Sequence, residues 1–534
     1  MSVKDAAEAE NKANLGAKSF AQNTLLMSVL TTVSRVTGFL RITAILAVVG
    51  GGFIADSYNL ANIIPNYIYE LVMGGTISSL VIPIFIDYLT NKSKDEAYEI
   101  VSTILNLALI IFGTIAVLGI VFPSIIIKAI TSISGSKNTG LAVFFFRFFA
   151  IQVVFYSLAS IATGILYSHK KFGVPTFAPI LNNLIVISTV VFIYGPNFKT
   201  NPNLALTSLA IGTTAGVFIL FVVQLPSLIR IGFRYTPHIN LKHPAIRKSA
   251  ALAFALFLYA LGNIIPMGVE VGLSWRFRTG VTALQSAWPF FQLPFGIFVV
   301  SIVNALFPSL SENIAKGNMQ EFKKHISLGL RTIGMISLPA SVIIIILSKP
   351  IIYLALRHGR FTLQEANLTA GVLSYFALGL FFFSSFFFLL RAFYARQKTF
   401  VPAAISLCGM VFNIAVDLVL IRVLSVKGLA LGRSLTYFLS FLAIWFMLKR
   451  EIGGLDKGII KSNLKFFTAS VIMGVVAFFS FKIVTPIFSG SALQSRLMLF
   501  SVPAFLSTLT YLSAIGILKS PEIKLVRNLF KKPN

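Results

Sequence analysis

Two arginines, Arg35 and Arg41, stand inside a run of apolar and small residues from Thr24 to Val49 that holds no acid. The run is long enough to cross a bilayer, and an arginine near the bilayer centre costs about 2.5–3.5 kcal/mol on insertion scales. On a helix the pair lies roughly 9 Å apart along the axis and about 120° around it, so both can border a wide cavity but not one narrow face. Pairing with Asp56 and Glu70 of the next span, or snorkelling, is the ordinary reading of a lone arginine. Two of them with no acid in their own helix point instead to an anion site, because guanidinium forks grip phosphate oxygens bidentately. Gly38 between them permits close approach or a local bend. Arg147 is a third intramembrane cation, lining a cavity or snorkelling at an outer end. Arg276 and Arg278 flank Trp275 and read as interfacial anchors.

A second constellation stands near the other end of the chain. Asn413 and Asp417 are four residues apart and share one helix face. Their oxygens suit a hard cation such as Na⁺; a buried Asp417–Arg433 ion pair is the competing and favoured reading. No metal-spaced His/Cys cluster, Walker sequence or nucleophile elbow is present, so no enzyme, cofactor or firm metal site is expected. Uphill transport would then draw on an ion gradient or the membrane potential, with Na⁺ coupling as one option.

The elements that must position these residues are membrane spans. Of 534 residues 56% are hydrophobic and 12% charged, with a mean hydropathy of +0.85, which excludes an ordinary soluble protein. Apolar runs predict an all-α polytopic membrane protein with fourteen transmembrane helices, over 24–49, 58–86, 98–122, 141–167, 177–195, 204–229, 248–270, 281–307, 327–347, 367–392, 401–421, 428–448, 463–484 and 497–518. The span 58–86 carries Pro65-Asn66, where a kink or an exposed carbonyl is expected. Loops on the side of the termini hold roughly 27 Lys and Arg against roughly 10 opposite, which puts both termini in the cytoplasm. The net charge of +28 reflects those loops, so no nucleic-acid partner is expected. The start of the chain has no apolar stretch of signal-peptide type.

Internal similarity sharpens the architecture. "YSHKKFGVP" (167–175) recurs as "YARQKTFVP" (394–402), and "IPIFIDYLTNKSKDEAY" (82–98) resembles "FPSLSENIAKGNMQEF" (307–322), both at an offset of roughly 226 residues. Six spans lie between, so the halves insert in the same orientation, a transporter arrangement. Two six-helix lobes plus two C-terminal helices follow. The expected divisions are a cytoplasmic tail (1–23), an N-lobe (24–230), a basic cytoplasmic linker (231–247), a C-lobe (248–450), helices 13 and 14 (451–518) and a basic cytoplasmic tail (519–534).

The motifs "SRVTGFLR", "GGGFIADSYNLANIIPN", "ISSLVIPIF", "FGVPTFAPILNN", "LPFGIFVVSIVNALFPSLS", "HGRFT" and "FYARQKTFVP" resemble the MurJ (MviN) lipid II flippases of the multidrug/oligosaccharidyl-lipid/polysaccharide exporter superfamily. The resemblance runs from about residue 24 to 450. It implies a central cationic cavity, a lipid-tail groove on helices 13 and 14, and passage of a lipid diphosphate headgroup by alternating access in the bacterial inner membrane. By the same resemblance Arg35, Arg41, Asn66 and Arg147 would contact substrate, the acid at Asp56 matters, and Asn413 and Asp417 match a sodium motif of some members; the charge pattern adds the expectation that Asp56 and Glu70 act as charge partners or gates of the arginines. The chain departs from the family pattern at Tyr69, where an arginine is expected, and at Trp288-Pro289, where an Asp-Arg pair is expected. The expected partners are lipid II, membrane lipids and peptidoglycan-synthesis enzymes. The rival readings are a flippase for another polyprenyl-linked glycan, a cation-coupled multidrug antiporter, and a scaffold for wall-synthesis enzymes.

Overall fold

The computed structural model describes residues 3–71, 85, 88, 93–135, 138–244, 246, 262, 264–396, 398, 400–456, 458–488, 490 and 492–518, with only the backbone described for 3–25, 70 and 71. The described elements are helical, in keeping with the expected all-α class. Besides a short helix at Pro123–Thr131, they are α1 (Val3–Val49), α2 (Phe53–Leu71), α3 (Lys94–Val121), α4 (Gly140–Ser168), α5 (Gly173–Thr200), α6 (Pro202–Arg230), α7 (Ile264–Ser274), α8 (Gly280–Ala315) and α9 (Met319–Ala355). The bent pair Leu363–Ala377 and Leu380–Ala395 forms α10, followed by α11 (Phe400–Leu424), α12 (Val426–Glu451), α13 (Gly458–Ile487) and α14 (Leu493–Ile517). Among the described residues eleven helices are long and apolar enough to cross a membrane, and α10 makes a twelfth if its 48° bend belongs to one span. The remaining two expected spans, 58–86 and 248–270, fall partly outside the described residues.

Local sequence explains where the helices begin and break. Ser93, Asn201 and Asn318 each accept a hydrogen bond from the backbone N–H three residues on, filling an otherwise orphaned donor. Thr362 and Glu365 close a full capping box at the start of α10. Leu347 leaves helical geometry (φ −97°, ψ 16°) three residues before Pro350, which can supply no amide to the preceding turn. The break in α10 is satisfied from α12, whose Ser434 hydroxyl donates to the carbonyls of Tyr375 (2.8 Å) and Phe376 (3.2 Å). A freed carbonyl without such a donor would be costly in a membrane.

The chain divides into two compact units, Met1–Gly50 with Ser57–Ala129 and Lys137–Ala260, and Gly51–Asp56 with Ile130–Ser136 and Leu261–Asn534. In the first, α3 packs on α4 and the end of α6 through Tyr98, Val101, Ile161, Ile165 and Leu228. The segment after α6 is strapped to α3: Asn106 donates to the carbonyls of Thr236 (3.1 Å) and His238 (3.0 Å), and Asn240 donates to Glu99 (3.2 Å). In the second, α9, α13 and α14 enclose Met335, Phe466, Met473 and Tyr511, with the Tyr511 hydroxyl donating to the Met335 carbonyl at 2.7 Å.

Candidate functional site

In the first unit Arg41 of α1 is held by a residue of α5. Asn183 donates to the Ser34 carbonyl (3.3 Å) and the Thr37 hydroxyl (3.1 Å) and accepts from Arg41 Nη1 (3.4 Å). Ser34, Thr37, Gly38 and Arg41 form one helical stripe, so α5 covers that stripe and one amide ties it together. A Cβ on Gly38 would stand 3.6 Å from Asn183 Nδ2, an ordinary contact, so the glycine is not required for this approach. Arg35 lies off the stripe and is exposed, while Arg41 is half-buried. Among the described residues Arg41 pairs with a neutral amide rather than a carboxylate, and its charge stays uncompensated.

Asn66 of α2 accepts from the buried Tyr156 hydroxyl of α4 at 3.1 Å. Tyr69, in the place of an expected arginine, packs against the same Tyr156 ring with centroids 4.5 Å apart. That position is therefore filled by an aromatic pair. Arg147 is exposed on α4. The Glu70 side chain lies outside the described residues.

Asp56 is engaged differently from the expectation that it partners the arginines. It is 4% exposed and belongs to the second unit, where it accepts from Thr279 N (2.7 Å), Thr282 N (2.8 Å) and Thr282 Oγ1 (2.8 Å). These are first-turn donors of α8, which lack intrahelical partners and favour an anion. Nearby, Gly51 N donates to Glu365 (3.3 Å). Trp275 is buried against Phe53; Arg276 and Arg278 are exposed.

The expected Asp417–Arg433 pair gives way to another. Arg433 forks onto Glu270 of α7, with Nε to Oε1 at 2.9 Å and Nη2 to Oε2, and its guanidinium lies 4.8 Å over the Trp288 ring. Trp288, one of the two departures in α8, thus supplies a face for a cation from α12. Geometry explains the choice: Glu270 meets the fork with both oxygens, whereas Asp417 Oδ1 lies against Gly432, where any Cβ would collide with it. Spacing and hydropathy do not single out Glu270 or Asn183. An acid at the end of an expected span was the available signal for Glu270; the Asn-Asn of "FAPILNN" was the signal for Asn183.

An apolar groove of about 590 Å³ runs between α9, α10, α12 and α13. Aromatic rings of Phe381, Phe382, Phe441, Trp445 and Phe467 line it. From α13 the groove is lined by Ile459, Ile460, Asn463, Leu464 and Phe467.

The family model for the lipid II flippase MurJ matches residues 45–497. The chain is 27% identical over 435 residues to a probable lipid II flippase MurJ of Borreliella burgdorferi, covering 81% of this chain and 84% of that one. It is 26% identical over 442 residues to the lipid II flippase MurJ of Burkholderia cenocepacia, covering 80% and 83%. A solved lipid II flippase MurJ in an inward closed conformation superposes with a TM-score of 0.77 at 22% identity, covering 94% of this chain and all of that one. An inward-facing multidrug MATE transporter of the MOP superfamily superposes at 0.56 and 15% identity, over 82% and 95% of the two chains. Those two structures speak for the fold; the family model, matched over most of the sequence, shows that this chain belongs to the lipid II flippase MurJ family.

Proposed function

We propose that the protein is a lipid II flippase of the bacterial plasma membrane, moving the undecaprenyl-diphosphate-linked peptidoglycan precursor from the inner to the outer leaflet by alternating access. The observation that carries the reading is the arginine pair of α1 within a matched flippase family. Arg41 is held by an amide that leaves its charge available, and Arg35, six residues earlier on the same helix, is exposed. Two guanidinium groups suit a diphosphate, with Asn66 and Arg147 as further polar contacts to the headgroup. The aromatic groove beside α13 suits the polyprenyl tail, which then never leaves an apolar environment. Both termini face the cytoplasm, as the distribution of basic residues favours. Asp56 acts by fixing the start of α8, and no catalytic step is assigned to any residue.

Depletion of the protein followed by complementation tests the site. Arg35→Ala and Arg41→Ala should each fail to restore growth and wall synthesis; normal growth with both changes would remove the diphosphate role. Native mass spectrometry of lipid II against another undecaprenyl-linked glycan distinguishes the substrate. Preferential retention of the second glycan would replace lipid II in this proposal.

A further inference from the structure

Glu270, Asp417 and Arg433 share one dry cluster, at 3%, 0% and 8% exposure. Arg433 commits its fork to Glu270. Among the described residues Asp417 is left with neither carboxylate oxygen hydrogen-bonded, and the Asn413 amide nitrogen one turn away also has no partner. Two carboxylates facing one guanidinium leave a charge of −1, and an uncompensated charge in such surroundings is strongly disfavoured. Something positive must therefore join the cluster when Asp417 is buried.

The donor set fits a metal ion poorly. Hard cations draw on several oxygen ligands at once, but both Glu270 oxygens are occupied by Arg433. What remains is one carboxylate and one amide, with a guanidinium in the same cluster to repel a second cation. Among the described residues no group of three His, Cys, Asp or Glu side chains could hold a metal ion. Gly432 lies directly against Asp417 Oδ1, which closes that side. A proton needs a single oxygen and no ligand shell.

We propose that Asp417 is a proton-binding site, with Arg433 as a tethered cation in the place that a sodium ion would otherwise take. Binding one proton makes the cluster neutral, so that α11 and α12 can pack around it. No other charged group among the described residues competes for Asp417. On the same two helices Arg422 is exposed, the Lys427 stem packs toward Gly371, and Lys449, Arg450 and Glu451 are at the far end of α12. On α10, Glu365 is held in its capping box and Arg391 lies over the rings of Phe387 and Tyr394. The consequence for transport, coupling to protons rather than to sodium, rests on the flippase reading; the binding site itself does not.

The test is infrared spectroscopy of the purified full-length protein across a pH series, with and without NaCl. The wild type should give the band of a buried protonated carboxyl group at neutral pH, unchanged by sodium, and Asp417→Asn should lose it. The Tm of Asp417→Asn should also stop falling with rising pH where that of the wild type falls. If Asp417→Asn does not accumulate, Asp417→Glu should move the band instead of deleting it. Absence of the band in the wild type, or its displacement by sodium at constant pH, would overturn the proposal.

Discussion

At the scale of single residues, the site depends on charges whose partners are chosen rather than merely available. Arg433 meets Glu270 with matched forks, while among the described residues Arg41 meets an amide. That difference separates a structural arginine from one able to receive an anion. It also makes Asn183 a sensitive probe. Replacing it by alanine or by aspartate removes its donation to Ser34 and Thr37, at a cost of about 1 kcal/mol per hydrogen bond lost. Of the two changes, only Asn183→Asp would place a carboxylate against Arg41 and compete with a bound diphosphate. Asn183→Asp is therefore expected to weaken lipid II binding by about tenfold, near 1.4 kcal/mol, beyond the effect of Asn183→Ala, with similar melting temperatures for the two. Equal affinities in a binding titration would show that Arg41 does not receive the anion.

At the scale of elements, helix approach distances set what each glycine does. Alanine at position 38 would meet Asn183 at ordinary contact distance, so Gly38→Ala should leave Tm unchanged or slightly raised. A methyl at position 432 would collide with the buried Asp417 carboxylate, and Gly432→Ala should destabilise by about 1–3 kcal/mol, as overpacking does. Thermal unfolding of the two variants in one detergent checks the contrast. The loop between α12 and α13 adds a pH dependence. Asp456 accepts from Gly458 N (2.8 Å) and from the Ser327 hydroxyl (3.0 Å), with Arg331 at 3.8 Å. The Gly458 amide first, then Ser327, hold its carboxyl below the usual carboxylate range. A depressed folded-state value stabilises above the unfolded value and is lost as pH falls through the folded one. Asp456→Asn should therefore lower Tm at neutral pH, with the gap from wild type closing at strongly acidic pH. A gap that persists unchanged into acid would contradict this.

The spans were legible in sequence because each needs about 20 apolar residues, and twelve of the fourteen expected have described counterparts. Partnerships across spans were not legible. Arg41 and Asn183 are 142 residues apart, and Glu270 and Arg433 are 163 apart; nothing in local spacing joins such pairs. The i, i+4 relation of Asn413 and Asp417 was visible, yet it could not reveal that a third helix would supply the acid that captures Arg433. Asp56 illustrates the same limit, since its donors belong to the start of α8, 223 and 226 residues away.

At the scale of the whole molecule, the family match covers residues 45–497, and the proposed cargo has an anionic head for the arginines of α1 and a long apolar tail for the aromatic groove beside α13. The departures at Tyr69, Trp288 and Pro289 shift weight onto α1. With Tyr69 paired to Tyr156 and Trp288 facing Arg433, these positions offer no cation to a headgroup, and on the proposed reading Arg35 and Arg41 would carry more of the phosphate binding. The most direct measurement is lipid II translocation by the purified protein in liposomes, comparing the wild type with Arg35→Ala/Arg41→Ala at matched Tm. The wild type should move lipid II across the bilayer while the double variant fails to do so; translocation by the double variant at the wild-type rate would contradict the account.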